Sequence, residues 1–177
     1  MAAVINKWLA VRPSALHGLG IFARTRIPAG TRILVETPLC ACICDATLAE
    51  RRFGKIDSRA FVRHVVESMP PEDRQNFVSL HNSQPGDRDM HFSIARTNGI
   101  RMFNGPGMGA SANVPFTPFA NIFALTSRFN HSCIANARSF WDWGERNEHW
   151  RDLLDGSKQS TIYHHVTVSF AHLAVSI

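Results

Sequence analysis

The chain has 177 residues, 45% apolar and 19% charged, with a formal net charge of +5. This content suits one compact domain with a sizeable core and a small inserted lobe, and it excludes a disordered or solenoid chain. The basic residues are scattered along the sequence and form no run, so direct nucleic-acid binding is not expected.

Residues 19–44 read as β structure. "GIFART" and "TRILVETPLCACIC" are rich in Ile, Val, Leu and Phe, and Pro28-Ala29-Gly30 between them supplies a turn, which predicts a hairpin. Cys40, Cys42 and Cys44 alternate along the second strand and so share a face. A structural zinc site takes its cysteine pair from a turn, so buried strand thiols are expected here. Over residues 46–81 the period changes. Phe61, Val62, Val65, Val66 and Met69 recur at helical spacing, Pro70-Pro71 stops that helix, and Pro71 with Glu72 and Asp73 starts another that buries Phe77 and Leu80.

"NSQPGDRDM" is a polar loop, "FSIARTNGI" a short apolar element, and "NGPGMGASANVP" a Gly- and Pro-dense loop. "FANIFALT" then leads into "SRFNHSC". Beyond residue 137 comes a polar, Trp-rich stretch, and "TIYHHVTVSFAHLAVSI" reads as one or two strands. No span reaches the roughly 20 apolar residues of a membrane helix, and the first ten residues lack a signal core. With no secretory signal, Cys133 and the three strand cysteines read as reduced thiols of a nuclear or cytoplasmic protein.

Asn130, His131 and Cys133 place an amide, an imidazole and a thiol in four positions. A Cys-His nucleophilic pair is conceivable, but such an enzyme normally recruits its His from a distant segment. A zinc site is better, although one short motif supplies at most two of four ligands. His164 and His165 are adjacent on a strand and face opposite sides, so they are given no site. "HGLGIFA" lacks the third glycine of a dinucleotide fingerprint, but its two glycines let a backbone approach a ligand closely.

Taken together, "HGLGIFARTRIPAGTRILVETPL", "RTN" at 96–98 and "SRFNHSCIANA" at 127–137, in that order around a helical insert, strongly resemble the SET-domain family of lysine methyltransferases. The insert, "SLHN" at 79–82 and the "NHSC" form look most like the fungal and SMYD-type branch with a split domain. The resemblance covers residues 11–137: N-terminal strands at 11–44, the helical insert at 45–90 and the cofactor-motif half at 91–137. It implies an α+β fold, mainly short strands, and transfer of a methyl group from S-adenosylmethionine to a lysine of a protein substrate, histone or otherwise. It further implies that His17, Gly18, Leu19, Gly20, Asn98, Ser127, Asn130 and His131 line the cofactor site. By the same resemblance Cys133 is one ligand of a structural zinc, completed by three later cysteines that this chain does not contain.

Residues 138–177 depart from the family pattern. They contain no Gly-Glu-Glu turn and no tyrosine in the family's catalytic motif, so no catalytic residue is assigned. Tyr163 better matches the strand before the missing turn. Either the chain is a shortened form of a longer methyltransferase, which the abrupt strand-like ending favours, or it is an inactive SET-like interaction module.

Overall fold

The computed structural model describes residues 3–15, 18–43, 45–101, 119–129, 136–142 and 163–168. They form an α+β arrangement of short antiparallel strands and a run of helices.

β1 (Ala3–Val4), β2 (Leu9–Pro13) and β3 (Leu19–Ala23) make the first sheet, in that order. β2 and β3 pair from Leu9 opposite Ala23 to Pro13 opposite Leu19. Strand alternation turns Leu9, Val11, Ile21 and Ala23 toward one face, where they pack with Ile27, Ile33, Leu34, Leu125 and Phe129. Asn6 stitches this sheet to the next strand, its Nδ2 donating to the Ile33 carbonyl at 2.9 Å.

The hairpin expected within residues 19–44 does not form. β4 (Arg32–Glu36) leaves β3 and pairs with β9 (Tyr163–Val168), which in turn pairs with β8 (Ala137–Asp142). The connecting residues explain the separation. Tight hairpins use loops of about two to five residues, whereas residues 24–31 form a longer link anchored by Ile27, which is only 5% exposed. Gly30 bends that link at φ +77, a left-handed conformation suited to glycine. β3 satisfies its backbone against β2 instead.

The third sheet is β5 (Cys40–Ile43), β7 (Phe119–Ile122) and β6 (Ile100–Arg101), with β7 in the middle. The helices that pack on it are α1 (Ala46–Phe53), α2 (Ser58–Glu67) and α3 (Pro71–Val78) of the insert, and α4 (Met90–Asn98), which opens the cofactor-motif half. Asp57 caps α2 by accepting from the Arg59 and Ala60 amides, Asp89 caps α4 through Phe92, and Pro71 opens α3. Val62, Val66, Phe77, Leu80, Ile94, Cys42, Ala120 and Ile122 form the core between helices and sheet, as the helical spacing predicts for the α2 and α3 positions. Each large apolar side chain buried there stabilises the fold by about 1.5–3 kcal/mol. Cys40 and Cys42 belong to this apolar cluster, and burial, with Cys42 alongside, pushes the Cys40 thiol well up, away from thiolate chemistry. Cys44 lies outside the described residues.

Two ion pairs pin the loop before α4 to α2: Arg59 to Asp87 at 2.7 Å and Arg63 to Asp89 at 2.8 Å. The Arg59 guanidinium, helped by the Asp89 amide, holds the Asp87 carboxyl down from 3.8 to about 2. The folded value lies below the ordinary one. The contribution is therefore present above the ordinary carboxylate range and is lost as pH falls toward about 2. Asp87→Asn should lower the melting temperature at pH 7, with the gap to the parent narrowing as pH is lowered from 5 toward 2. A pH-independent gap would contradict this origin.

Candidate functional site

The end of α4 carries Asn98, which is only 7% exposed. Its Nδ2 donates to the Ile94 carbonyl one turn back at 2.8 Å and to the His81 carbonyl at 2.7 Å. The amide thus ties the helix to the loop that follows α3. The next residue, Gly99, leaves the helix with extended backbone and packs tightly: a Cβ there would lie 3.0 Å from the Ala95 carbonyl oxygen and 3.1 Å from the Ala120 Cβ. That closeness sets the end of α4 directly against β7.

β7 leads into a 3-10 turn, Thr126–Arg128, that meets Asn98 from the other side. The Ser127 hydroxyl donates to the Asn98 carbonyl at 3.0 Å and accepts from the Phe123 amide at 3.1 Å. Two of the residues expected at the cofactor site, Asn98 and Ser127, are therefore in direct contact.

What holds the turn in place is Glu36, at the end of β4. Its carboxylate accepts from the Leu125 amide at 2.8 Å, the Thr126 amide at 2.7 Å and the Thr126 hydroxyl at 2.7 Å. An acid accepting backbone N–H groups at the start of a helical turn satisfies donors that the turn cannot satisfy itself. Arg128, at the turn's end, donates through Nε to the Ala124 carbonyl at 2.9 Å and through Nη2 to the Ser79 hydroxyl at 2.8 Å. Burial pushes the Arg128 guanidinium down from its ordinary value, and Glu36 partly offsets that. Arg128 thereby links the turn to the end of α3.

The glycine loop closes the group. Gly18 has φ +50, so a side chain there would be strained, and a Cβ would meet His81 Nδ1 at 3.7 Å. Leu19 begins β3 and is 45% exposed, while Gly20 is buried opposite Arg12. β3 also packs against the Thr126–Arg128 turn. Gly18, His81, Asn98 and Ser127 consequently converge from four separate segments. His17, Asn130, His131 and Cys133 lie outside the described residues. Among the described residues, no cluster of three or more His, Cys, Asp and Glu is placed to hold a metal ion.

Two members of the arrangement are not among the residues expected from sequence. Glu36 carried a usable signal: it is the only acidic residue among the first 44, and it sits in an apolar strand. A carboxylate in that setting calls for a partner. His81 lies in the quoted "SLHN", but nothing in the spacing shows that its imidazole faces Gly18.

The order of strands and insert, with a glycine loop, the end of α4 and the turn before "NHSC" meeting at one place, defines a SET-type domain. The SET domain family model matches residues 18–163, and the chain belongs to that family. A distant relative is the histone-lysine N-methyltransferase set5 of Schizosaccharomyces pombe, 27% identical over 132 residues. That alignment covers 75% of this chain and 33% of the relative, so the chain spans about a third of its relative's length. No solved structure matches.

Proposed function

We propose that this chain is the SET module of a protein-lysine methyltransferase of the fungal, SMYD-like kind, using S-adenosylmethionine on a lysine of a histone or another protein. The observation that carries the proposal is the hydrogen-bonded chain from His81 through Asn98 to Ser127, with Gly18 beside it. Family membership and the relative's name support the same activity.

The described residues fit the cofactor's amino-acid end. Asn98 spends both its amide protons on carbonyls, and its Oδ1 receives no hydrogen bond from another described residue. A buried amide oxygen that receives no hydrogen bond from the described residues suits an ammonium group. Gly18 keeps the loop backbone free of a side chain where a ligand would pass. When bound, S-adenosylmethionine supplies an electrophilic methyl on a sulfonium. The chain's own contribution is positioning: orienting donor and acceptor out of water can lower a barrier by roughly 7–11 kcal/mol without any covalent intermediate. Asn130 and His131, following the turn that Glu36 fixes, are assigned to the same site. Cys133 is assigned to a structural zinc that only a longer form with further cysteines could complete. A nuclear or cytoplasmic location agrees with such substrates.

One observation favours an inactive interaction module as a second reading. Residues 138–177 contain no Gly-Glu-Glu turn, and the family match ends at the chain's only tyrosine, Tyr163. Tyr163 opens β9 opposite Asp142. Methyl transfer to histone and peptide mixtures separates the readings. We expect turnover that persists in Tyr163→Phe and disappears in Asn130→Ala. Cofactor binding without turnover on any substrate would favour the module, and loss of turnover in Tyr163→Phe would make that tyrosine catalytic.

A further inference from the structure

The formal charge of +5 is unevenly placed. Residues 1–35 contain Lys7, Arg12, Arg24, Arg26 and Arg32 and no Asp or Glu, so the 14 basic and 14 acidic residues beyond them cancel. The entire excess belongs to the segment that builds the first sheet and enters β4.

The fold brings several of these cations together. In the β2–β3 pair, Leu9, Val11, Ile21 and Ala23 face the core, which leaves Ala10, Arg12, Gly20 and Phe22 on the opposite face. Arg12 lies over the Phe22 ring there, 4.0 Å from its centroid, and Lys7 lies over Trp8 at 4.6 Å. Arg24 follows β3, its amide donating to the Trp8 carbonyl at 2.8 Å and its Nη1 to the Asn6 carbonyl at 3.1 Å. Lys7, Arg12, Arg24 and Arg26 are all exposed. None belongs to the two ion pairs among the described residues, which involve Arg59 and Arg63. Glu36, the nearest acid in sequence, is occupied by Leu125 and Thr126. Absence of a basic run in the sequence therefore does not describe the surface, where Arg12 in β2 and Arg24 just beyond β3, 12 residues apart in the chain, lie along one two-stranded ribbon.

We propose that this outer face of the first sheet docks duplex nucleic acid through its phosphates. Arginine suits phosphate because its fork donates two parallel hydrogen bonds. Stacking on Phe22 fixes the Arg12 fork in advance, which reduces the ordering cost of contact. Arg12 and Arg24 are offset by four residues, about 13 Å along the strands at roughly 3.3 Å per residue. A duplex carries a charge about every 1.7 Å of its axis, so it meets both cations in any register. An acidic peptide would need carboxylates placed at that separation by its own sequence. The contacts expected are positioning contacts, without base preference.

The test is fluorescence anisotropy of a 20-base-pair labelled DNA duplex with the full chain, between 50 and 200 mM KCl. Four phosphate contacts give a slope of log K against log salt of about −3.6, a loss of roughly 100-fold over that range. Arg12→Gln and Arg24→Gln should each make the slope shallower by about 0.9, with the melting temperature and cofactor affinity unchanged. Neutralising Lys7, Arg12, Arg24 and Arg26 together should abolish binding, and Arg51→Gln on α1 should leave it intact. Undiminished binding by the single variants or by the fourfold variant would overturn the proposal. So would a polyglutamate peptide that binds as tightly as the duplex, which would make the face a protein-docking surface.

Discussion

Glu36→Ala is expected to be among the most damaging single changes in the chain, although the residue touches neither cofactor nor substrate in the proposed mechanism. It removes the acceptor for the Leu125 amide, the Thr126 amide and the Thr126 hydroxyl. Hydrogen bonds to a charged group contribute about 1.5–3 kcal/mol each, and buried donors left unmade cost a similar amount. Glu36 is only half-buried and water can replace part of the loss, so a destabilisation of about 3 kcal/mol is expected, or roughly 6–12 °C in melting temperature for a domain of this size. Thr126, which is 4% exposed, has no such relief. Glu36→Gln keeps one acceptor oxygen but turns an amide group toward donors, so it should lose about half as much. The functional readout is cofactor affinity. If Glu36 fixes the turn that carries Ser127, both variants should weaken S-adenosylmethionine binding at temperatures where they remain folded. A lowered melting temperature with unchanged affinity would reduce Glu36 to a purely structural role.

Asn98 offers the second large effect. Asn98→Ala removes the hydrogen bonds from this amide to the His81 and Ile94 carbonyls and opens a small void at a 7%-exposed position. An unmade buried hydrogen bond costs about 1–3 kcal/mol. Asn98→Asp is more revealing because it preserves shape. Its carboxylate would replace the Nδ2 group 2.7 Å and 2.8 Å from two carbonyl oxygens, so oxygen would face oxygen. The charged form is disfavoured there, and the site must either protonate or open. We expect Asn98→Asp to be at least as destabilising as alanine at pH 7, to recover as pH falls and the carboxyl protonates, and to bind cofactor at least tenfold more weakly than the parent at neutral pH. Equal cofactor affinity in both variants and the parent would remove Asn98 from the site.

Local chemistry made much of the insert legible in the sequence. The spacing of Val62 and Val66, the Pro70-Pro71 break and the acidic first turn of α3 each act within one or two helical turns, and the helices follow them. The hairpin from residues 19–44 failed because strand partners are chosen by competition. β2 precedes β3 and β9 begins 127 residues after β4 ends, and neither fact is encoded between residues 19 and 44. The same limit governs the site. Order and motif pointed to Gly18, Asn98 and Ser127, but the bond between Asn98 and Ser127 spans 29 residues, and those from Glu36 span 89 and 90. Only the lone carboxylate in an apolar strand hinted at them. A family pattern supplies which residues meet; the supporting contacts follow from the fold.

Calorimetric titration of S-adenosylmethionine into the full chain tests most directly whether these segments form a cofactor site. One-site binding is expected for the parent and for Arg59→Gln, whose side chain bonds to Asp87 and makes none of the site's hydrogen bonds. Binding should be at least tenfold weaker in Asn98→Ala and absent in Asn130→Ala. No heat of binding to the folded parent at any practical concentration, or the same affinity in Asn130→Ala as in the parent, would contradict such a site.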